Sequence, residues 1–388
     1  MMQSRIIYIG FYDNNSSLDK RYISQSSKTK MDYIASSLNR GGKKVHFVSP
    51  AWITDSNTFF RIIFQQTIII NNTQLLTKCP SISSKFRLVS VFNRYISLAW
   101  LFFWLLFNTE KNEKILIYHS PFYAIVINYI KRLKNLEIVL EVEETYSEVW
   151  DVSESSKKRE HQLLNIADYY IAVSNELAKK LGKKTKAVVY GNYNISDHLD
   201  SVNLDYTPTI NVIYAGTLDL TRGGAINSVR VASVLPNNYT VHICGSGTEL
   251  EIKELLKEID QINISKGRTV CIYHGFLTGV ELINLIKKCH IAINPQKSGV
   301  YMDSAFPSKI VFYLTNKLSV VSSAINSIKE SPFAQFIEFS ADDSIKSFAD
   351  AVQRINVNKR FEIDLLFKEL DDEFVKNIAA IFNSPDIK

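Results

Sequence analysis

The chain has 388 residues, of which 46% are hydrophobic and 22% are charged, and its formal net charge is +6 at pH 7. This length allows two domains of ordinary size, each with its own core, and the composition excludes a disordered chain. The four cysteines lack Cys-x-x-Cys spacing, which predicts reduced thiols in a cytoplasmic protein rather than a disulfide scaffold or a zinc site.

The N-terminal half alternates strand and helix patterns. Arg5 to Gly10 reads as a short strand and lacks the features of a signal peptide. Lys28 to Asn39 has apolar residues at helical spacing, and Lys44 to Ser49 reads as the next strand. This order predicts a βαβ unit. Further strands are predicted at Lys114 to Tyr118, Glu137 to Val142 and Asp168 to Val173.

The first 108 residues are strongly basic, with 13 Lys or Arg against 4 Asp. They also contain an apolar run, Ile96 to Phe107, which is shorter than the roughly 20 residues that a membrane-spanning helix needs. The charge and the pair Trp100 and Trp104 predict contact with an anionic membrane surface, although a buried helix has the same pattern. No nucleic-acid-binding motif accompanies the basic residues, so nucleic acid is not an expected partner.

Polar residues follow two of the predicted strands in this half. His119 comes after the strand that ends at Tyr118, and Glu143 and Glu144 end the strand that begins at Glu137. A carboxylate at a strand end can deprotonate a hydroxyl or stabilise a developing positive charge. His119, Glu143 and Glu144 are therefore candidate catalytic residues; the alternatives are a structural histidine and a solvated acidic loop.

Between Ile210 and Ser323 several strands run into glycine turns. These are Asn211-Val-Ile-Tyr-Ala-Gly216, Tyr239-Thr-Val-His-Ile-Cys-Gly245-Ser-Gly247 and Thr269-Val-Cys-Ile-Tyr-His-Gly275. Basic residues stand at two turns, Arg222 before Gly223 and Lys309 in Phe-Pro-Ser308-Lys309. Backbone N–H groups and the helix dipole at such turns stabilise a diphosphate, although a single turn of this kind is often only a tight turn.

This series of turns resembles the donor domain of glycosyltransferases with the GT-B fold, particularly the retaining family 4. The resemblance implies an α/β fold of two doubly wound Rossmann-like domains facing a cleft. Residues 1–202 would form the acceptor-binding domain, on which a helix at 370–388 packs back, and residues 203–369 the donor-binding domain. A linker is expected from His198 to Pro208.

By the same resemblance, Arg222 and Lys309 would be the two cations at the donor diphosphate, and Ser308 would donate to the same phosphate. The remaining expected donor-site residues are Gly216, Gly223, Gly245, Gly247, Gly275 and Asp303. Phe312 stands where the family usually has a Glu that binds the ribose. Asp303 is one residue away from Ser304, where a second Glu is common, and would supply a carboxylate.

The expected activity is transfer of a sugar from a nucleotide-diphosphate sugar to a lipid-linked or glycan acceptor, in bacterial surface-polysaccharide synthesis. The resemblance implies retention of anomeric configuration. No Asp-x-Asp occurs in the chain, so we expect neither a metal nor any other cofactor. The expected location is the cytoplasm, at the inner face of the membrane. Two alternatives remain open: a non-catalytic GT-B partner subunit and a nucleotide-sugar epimerase of the same fold.

Overall fold

The structure is a computed structural model that describes residues 5–14, 20–55, 58–149, 152–195, 209–297, 299, 305–358 and 362–383. The chain divides into two compact units. The first unit comprises Met1–Asn192 and Asp371–Lys388, and the second comprises Tyr193–Leu370. The boundary at Asn192 lies earlier than the expected 202, and the expected linker, His198 to Pro208, lies outside the described residues.

The first unit is built on a parallel sheet with one antiparallel edge strand. Its strands are β1 (Arg5–Ile9), β2 (Lys20–Arg21), β3 (Lys44–Ser49), β4 (Ile53–Asp55), β5 (Arg61–Ile63), β6 (Gln66–Asn71), β7 (Gln74–Lys78), β8 (Ser81–Ser83), β9 (Lys114–Tyr118), β10 (Glu137–Val142), β11 (Tyr169–Ala172) and β12 (Thr185–Val188). The main sheet has the order β12-β11-β10-β9-β1-β3-β7-β6, and only β6 runs antiparallel to its neighbour.

Helices cover this sheet, so its central strands are continuous apolar runs buried on both faces. The helices are α1 (Gln25–Arg40), α2 (Arg87–Asn108), α3 (Ala124–Lys134), α4 (Tyr146–Val149), α5 (Glu154–Ile166) and α6 (Asn175–Leu181). The C-terminal part of the last helix, α13 (Asp364–Asn383), also belongs to this unit. Its Asp371 pairs with Arg40, and its Phe374 stacks on Tyr33 with ring centroids 5.8 Å apart.

The second unit contains a six-stranded, fully parallel sheet in the order β15-β14-β13-β16-β17-β18. Its strands are β13 (Ile210–Ala215), β14 (Tyr239–Cys244), β15 (Cys271–Tyr273), β16 (Ile291–Asn294), β17 (Ser319–Ser322) and β18 (Ile337–Phe339). Its helices are α7 (Gly224–Val234), α8 (Glu249–Lys266), α9 (Gly279–Ile286), α10 (Lys309–Thr315), α11 (Asn326–Lys329), α12 (Ile345–Arg354) and α13 (Asp364–Asn383), with a 3₁₀ turn at Ala334–Phe336.

Each sheet is doubly wound, because the chain reverses its direction across the sheet once. The reversal lies between β1 and β9 in the first unit and between β13 and β16 in the second. Ligands of open α/β sheets bind at such switch points, outside the carboxyl ends of the strands. The fold therefore directs attention to the residues after β1, β9 and β10, and to those after β13, β14 and β16.

Helix α2 differs from its sequence prediction. It begins at Arg87, well before the apolar run at Ile96, because the polar Asn93 and Arg94 interrupt the hydrophobic pattern without ending the helix. By length and composition its segment Leu88–Asn108 could cross a membrane. One side of the helix is nevertheless fixed to the first unit: the buried Asn93 accepts from Ile82 N at 2.8 Å and donates to Ile82 O at 2.9 Å.

Candidate functional site

The glycine turns of the second unit lie side by side at the carboxyl edge of its sheet. Gly216 N donates to Cys244 O at 3.0 Å, and Gly245 N donates to Gly275 O at 2.9 Å. A Cβ atom on Gly245 would lie 1.7 Å from the carbonyl oxygen of Gly216, so any side chain there would separate the two turns. Gly247 follows in the loop that leads to α8. The structure thus brings together Gly216, Gly245, Gly247 and Gly275 as one backbone surface.

Lys309 is the first residue of α10, and its side chain reaches this surface. A Cβ atom on Gly216 would lie 2.9 Å from Lys309 Nζ, which donates to the Tyr214 hydroxyl at 3.1 Å. Burial, and secondly the positive charge of Arg222, lower the pKa of Lys309 to about 7. Among the described residues no carboxylate forms an ion pair with it. A half-buried ammonium without a counter-charge is a ready binding group for an anion.

Arg222 lies in the turn between β13 and α7, and Asp219 shapes that turn. Asp219 Oδ1 accepts from Thr221 N at 2.7 Å and from Arg222 N at 3.2 Å, while its Oδ2 lies 3.7 Å from Arg222 Nε. Gly223 then takes a positive φ of 69° and caps α7. Sequence reasoning missed Asp219, although an Asp in a loop that leads to a Gly pair often accepts from the backbone N–H two residues on, as Asp219 does from Thr221.

Two tyrosines that sequence reasoning also missed hold α10 against the turn of Gly216. The buried Tyr313 hydroxyl accepts from Ala215 N at 2.8 Å and donates to Ala215 O at 3.1 Å. The Tyr214 ring lies under the Lys309 ammonium, with Nζ 4.2 Å from the ring centroid. Both tyrosines lie in apolar stretches, where the sequence alone does not distinguish them from ordinary core residues.

The structure gives no ligand-binding contact for the other residues that were expected near the donor. Ser308 is the N-cap of α10 but its side chain makes no capping hydrogen bond, and α10 has only 7 residues. Phe312 is half-buried one turn along the same helix, and its N–H donates to Ser308 O at 3.2 Å. Asp303 and Ser304 lie outside the described residues.

In the first unit, Glu143 lies just after β10 in a hydrogen-bonded network. Its Oε1 is 2.9 Å from Lys30 Nζ, and its Oε2 accepts from the Tyr118 hydroxyl at 3.1 Å. Glu144 follows and is half-buried. Sequence reasoning missed Glu141, which is fully buried and accepts from the Tyr8 hydroxyl. Burial, and secondly the charge of Glu143, raise the pKa of Glu141 to about 8, so this carboxyl is mostly protonated at pH 7.

His119 follows β9 and is only 2% exposed. Its Nε2 lies 3.6 Å from Glu160 Oε1, and its ring centroid lies 5.3 Å from that of Tyr146. Burial lowers the pKa of His119 to about 4, opposed in part by Glu160 and by the backbone of Glu144, so the imidazole is neutral at pH 7. Glu160, on α5, was not predicted as a partner because it lies far along the chain from His119.

Comparison with known proteins identifies the architecture. No protein-family model and no curated protein sequence matches the chain. Solved structures do: sucrose-phosphate synthase from Thermosynechococcus elongatus has a TM-score of 0.69 at 14% identity and covers 98% of this chain and 95% of its own. An E. coli structure described as trehalose-6-phosphate bound with UDP-2-fluoro glucose has a TM-score of 0.68 at 10% identity, and the match covers 98% of each chain. The lipopolysaccharide outer core galactosyltransferase WaaB has a TM-score of 0.59 at 11% identity, and the match covers 97% of this chain and 98% of that one.

This chain has the GT-B fold. The predicted fold class is therefore confirmed.

The first unit of this GT-B protein also contains a cavity of about 670 Å³ beside the Glu143 network. Of the described residues, six aromatic side chains and two arginines line it, together with serines and aliphatic residues. The lining residues include Phe11, Ser27, Arg94, Tyr95, Tyr118, Tyr146 and Arg159. In the part of the chain that the structure describes, no acidic residue lines the cavity. It connects to the candidate catalytic residues through the Tyr118 hydroxyl, which accepts from Ser27 Oγ at 2.9 Å and donates to Glu143.

An exposed apolar surface lies around β5 and the first turns of α2. We call it the apolar patch, and it comprises Phe59, Phe60, Ile62, Phe64, Leu88, Val91, Phe92 and Tyr95, all exposed. Two contacts join the segment around β5 to α2. The rings of Phe59 and Phe86 have centroids 5.4 Å apart, and Trp100 Nε1 donates to Gln65 Oε1 at 2.7 Å. The expectation that Trp104 faces a membrane was wrong, because Trp104 is 7% exposed and packs edge-on against His46.

Proposed function

We propose that this GT-B protein transfers a glycosyl group from a nucleotide-diphosphate sugar to a hydroxyl of a lipid-linked or glycan acceptor. The observation that carries the proposal is the Lys309 ammonium at the Gly216 turn, half-buried beside Arg222 at the switch point between β13 and β16. Two cations and a surface of glycine backbone suit a diphosphate better than a neutral ligand. One structural neighbour is described as bound with UDP-2-fluoro glucose, a compound of the proposed donor class.

In the proposed reaction the bond between the sugar C1 and the diphosphate oxygen breaks, and its electron pair leaves with the nucleoside diphosphate. Lys309 and Arg222 stabilise the charge that develops there without a metal ion. Among the described residues no cluster of three or more His, Cys, Asp or Glu side chains could hold one. The acceptor oxygen forms the new bond to C1 and loses its proton to a base. Retention of configuration belongs to the proposal through the resemblance to family 4.

His119, Glu143 and Glu144 are the proposed groups on the acceptor side. The pKa of His119 is lowered to about 4, so its imidazole is a weak base. In the proposal this neutral ring forms a hydrogen bond with a sugar hydroxyl. Glu141, with a pKa raised to about 8, is mostly protonated and does not suit the role of base at pH 7. The proposed proton acceptor is therefore Glu143 or Glu144.

The proposed setting is the inner face of the cytoplasmic membrane, in synthesis of a surface polysaccharide. The apolar patch supports this proposal, since monomeric proteins rarely expose many large apolar side chains together. Charge supports it as well: residues 56–109 contain five Lys or Arg and no Asp or Glu. An anionic lipid surface matches both properties.

Turnover of a panel of nucleotide sugars, followed by release of the nucleoside diphosphate, tests the proposed activity. A transferase releases the nucleoside diphosphate and yields a larger acceptor glycan, whereas an epimerase yields a new nucleotide sugar. Phe312 at the place of the ribose-binding Glu is the feature that favours a non-catalytic partner subunit. Such a subunit would turn over no donor alone, and this result would contradict the proposal.

A further inference from the structure

The cavity of the first unit has the lining of an anion site. Arg94 and Arg159 are the only charged residues among the described residues that line it, and neither forms an ion pair with another described side chain. The guanidinium of Arg94 lies 5.4 Å from the Trp52 ring centroid, and Arg159 Nε donates to Ser155 O at 3.2 Å. Both guanidinium groups therefore keep N–H donors for a ligand.

The walls of the cavity suit a sugar. Phe11 and Tyr146 supply flat apolar surfaces, and Ser27 and Tyr118 supply hydroxyls. A volume of about 670 Å³ is in the range of small-molecule sites and exceeds the need of a free phosphate ion. The Tyr118 hydroxyl also binds Glu143, so a ligand in the cavity lies one hydrogen bond away from a proposed catalytic carboxylate.

The cavity opens beside the apolar patch. Tyr95 belongs to both, and on α2 it follows Phe92 by three residues and Val91 by four, so these side chains share one helix face. Arg94 is the residue immediately before Tyr95. If the apolar patch contacts lipid, Arg94 lies at the depth of the lipid headgroups, where the phosphate of a lipid-linked molecule is found.

We propose that Arg94 and Arg159 bind a phosphate or diphosphate group of the acceptor, whose sugar occupies the cavity toward Tyr118. This inference rests on the proposed function and specifies the acceptor as phosphate-bearing. Arginine binds phosphate through two parallel hydrogen bonds, which also fixes the orientation of the attached sugar. The same chemistry is present in a lipid-linked sugar diphosphate and in a soluble sugar phosphate.

The test measures binding of two probes to the full-length protein. One probe is phosphatidylcholine vesicles that contain a polyprenyl diphosphate, with undoped vesicles as blank; the other is glucose 6-phosphate in solution. The variants are Arg159→Gln and Arg94→Gln, and the matched control is Arg132→Gln, which removes an equal charge from the exposed surface of α3 outside the cavity. Arg159 bonds only within α5 among its described contacts, so its variant should fold even if that of Arg94 does not.

We expect Arg159→Gln and Arg94→Gln each to weaken binding of at least one probe by about tenfold, while Arg132→Gln leaves it unchanged. Loss confined to the doped vesicles identifies a lipid-linked acceptor, and loss confined to glucose 6-phosphate identifies a soluble one. If neither probe binds, or if Arg159→Gln behaves as Arg132→Gln does, the inference is overturned. Binding of nucleoside diphosphate by the same samples, which depends on the second unit, reports separately on the proposed function.

Discussion

The ammonium group of Lys309 lies 4.2 Å from the centroid of the Tyr214 ring and 3.1 Å from its hydroxyl oxygen. The ring attracts the cation without neutralising it, so the charge remains available to an anion. Tyr214 belongs to β13 and Lys309 begins α10, and the contact therefore places the charge at the carboxyl end of the central strand.

The affinity for nucleoside diphosphates should depend on pH through Lys309. Its pKa in the free protein is lowered to about 7, and only the protonated form attracts the diphosphate. Affinity should therefore be highest below pH 7 and should fall by up to about tenfold for each pH unit above 7. The fall should end at the pKa that Lys309 has in the complex, which the bound diphosphate raises. Calorimetric titrations from pH 6 to 9 measure this. Lys309→Arg, which stays charged, should remove the decline; an equal decline in that variant would assign it to another group.

Removal of a proposed acceptor-side group should reduce turnover and spare donor binding. Glu144→Gln is the first variant to make, followed by Glu143→Gln and His119→Ala. If one of these residues handles the acceptor proton, its loss should lower kcat by about 10²–10⁴-fold. Nucleotide affinity should stay the same, because the proposed nucleotide site lies in the second unit. Full activity in all three variants would place the chemistry on other residues.

The apolar patch should bind anionic vesicles in a salt-sensitive manner. Phe60 and Phe64 are exposed, so the double change Phe60→Ser with Phe64→Ser should leave the fold intact. Each buried Phe contributes about 1.5–3 kcal/mol of transfer free energy, and the double variant should bind at least about tenfold more weakly in cosedimentation. Ile264→Ser, on the exposed side of α8, is the matched control. Equal binding by the two variants would exclude the patch as the membrane contact.

Glu141 should make the protein less stable as pH rises. Its pKa is raised from 4.5 to about 8 in the folded state, so between these values the unfolded state binds fewer protons than the native state. The stabilisation is complete below about pH 4.5 and is lost as pH rises through about 8. Glu141→Gln keeps the shape and should flatten this part of the Tm profile. A profile identical to that of the unchanged protein would show that Glu141 titrates normally.

The sequence predicted the fold well because glycine turns and buried strands are local signals. The strands Lys114–Tyr118 and Glu137–Val142 were predicted with the bounds that the structure has, and the turns of Gly216, Gly245 and Gly275 come together as the parallel order requires. The doubly wound arrangement was expected from the resemblance to GT-B glycosyltransferases, and the strand orders of both sheets agree with it.

The partners of the site residues were not predictable, because they depend on contacts between distant parts of the chain. Glu143 pairs with Lys30, and His119 lies near Glu160. Lys30 and Glu160 are buried charged residues in helices, where the sequence pattern favours solvent exposure. Trp104 shows the same limit, since an apolar helix does not reveal which of its faces meets the sheet.

The most direct test of the donor site is calorimetric titration of UDP, GDP and ADP into the unchanged protein, Lys309→Ala and Lys346→Ala. Lys346 is exposed on α12 in the same unit and controls for general loss of charge. The proposed donor site predicts that at least one nucleotide binds the unchanged protein. Lys309→Ala should lose about 1.5–3 kcal/mol of that binding free energy, and Lys346→Ala should lose none. Equal affinities in all three proteins, or no binding of any nucleotide, would contradict it.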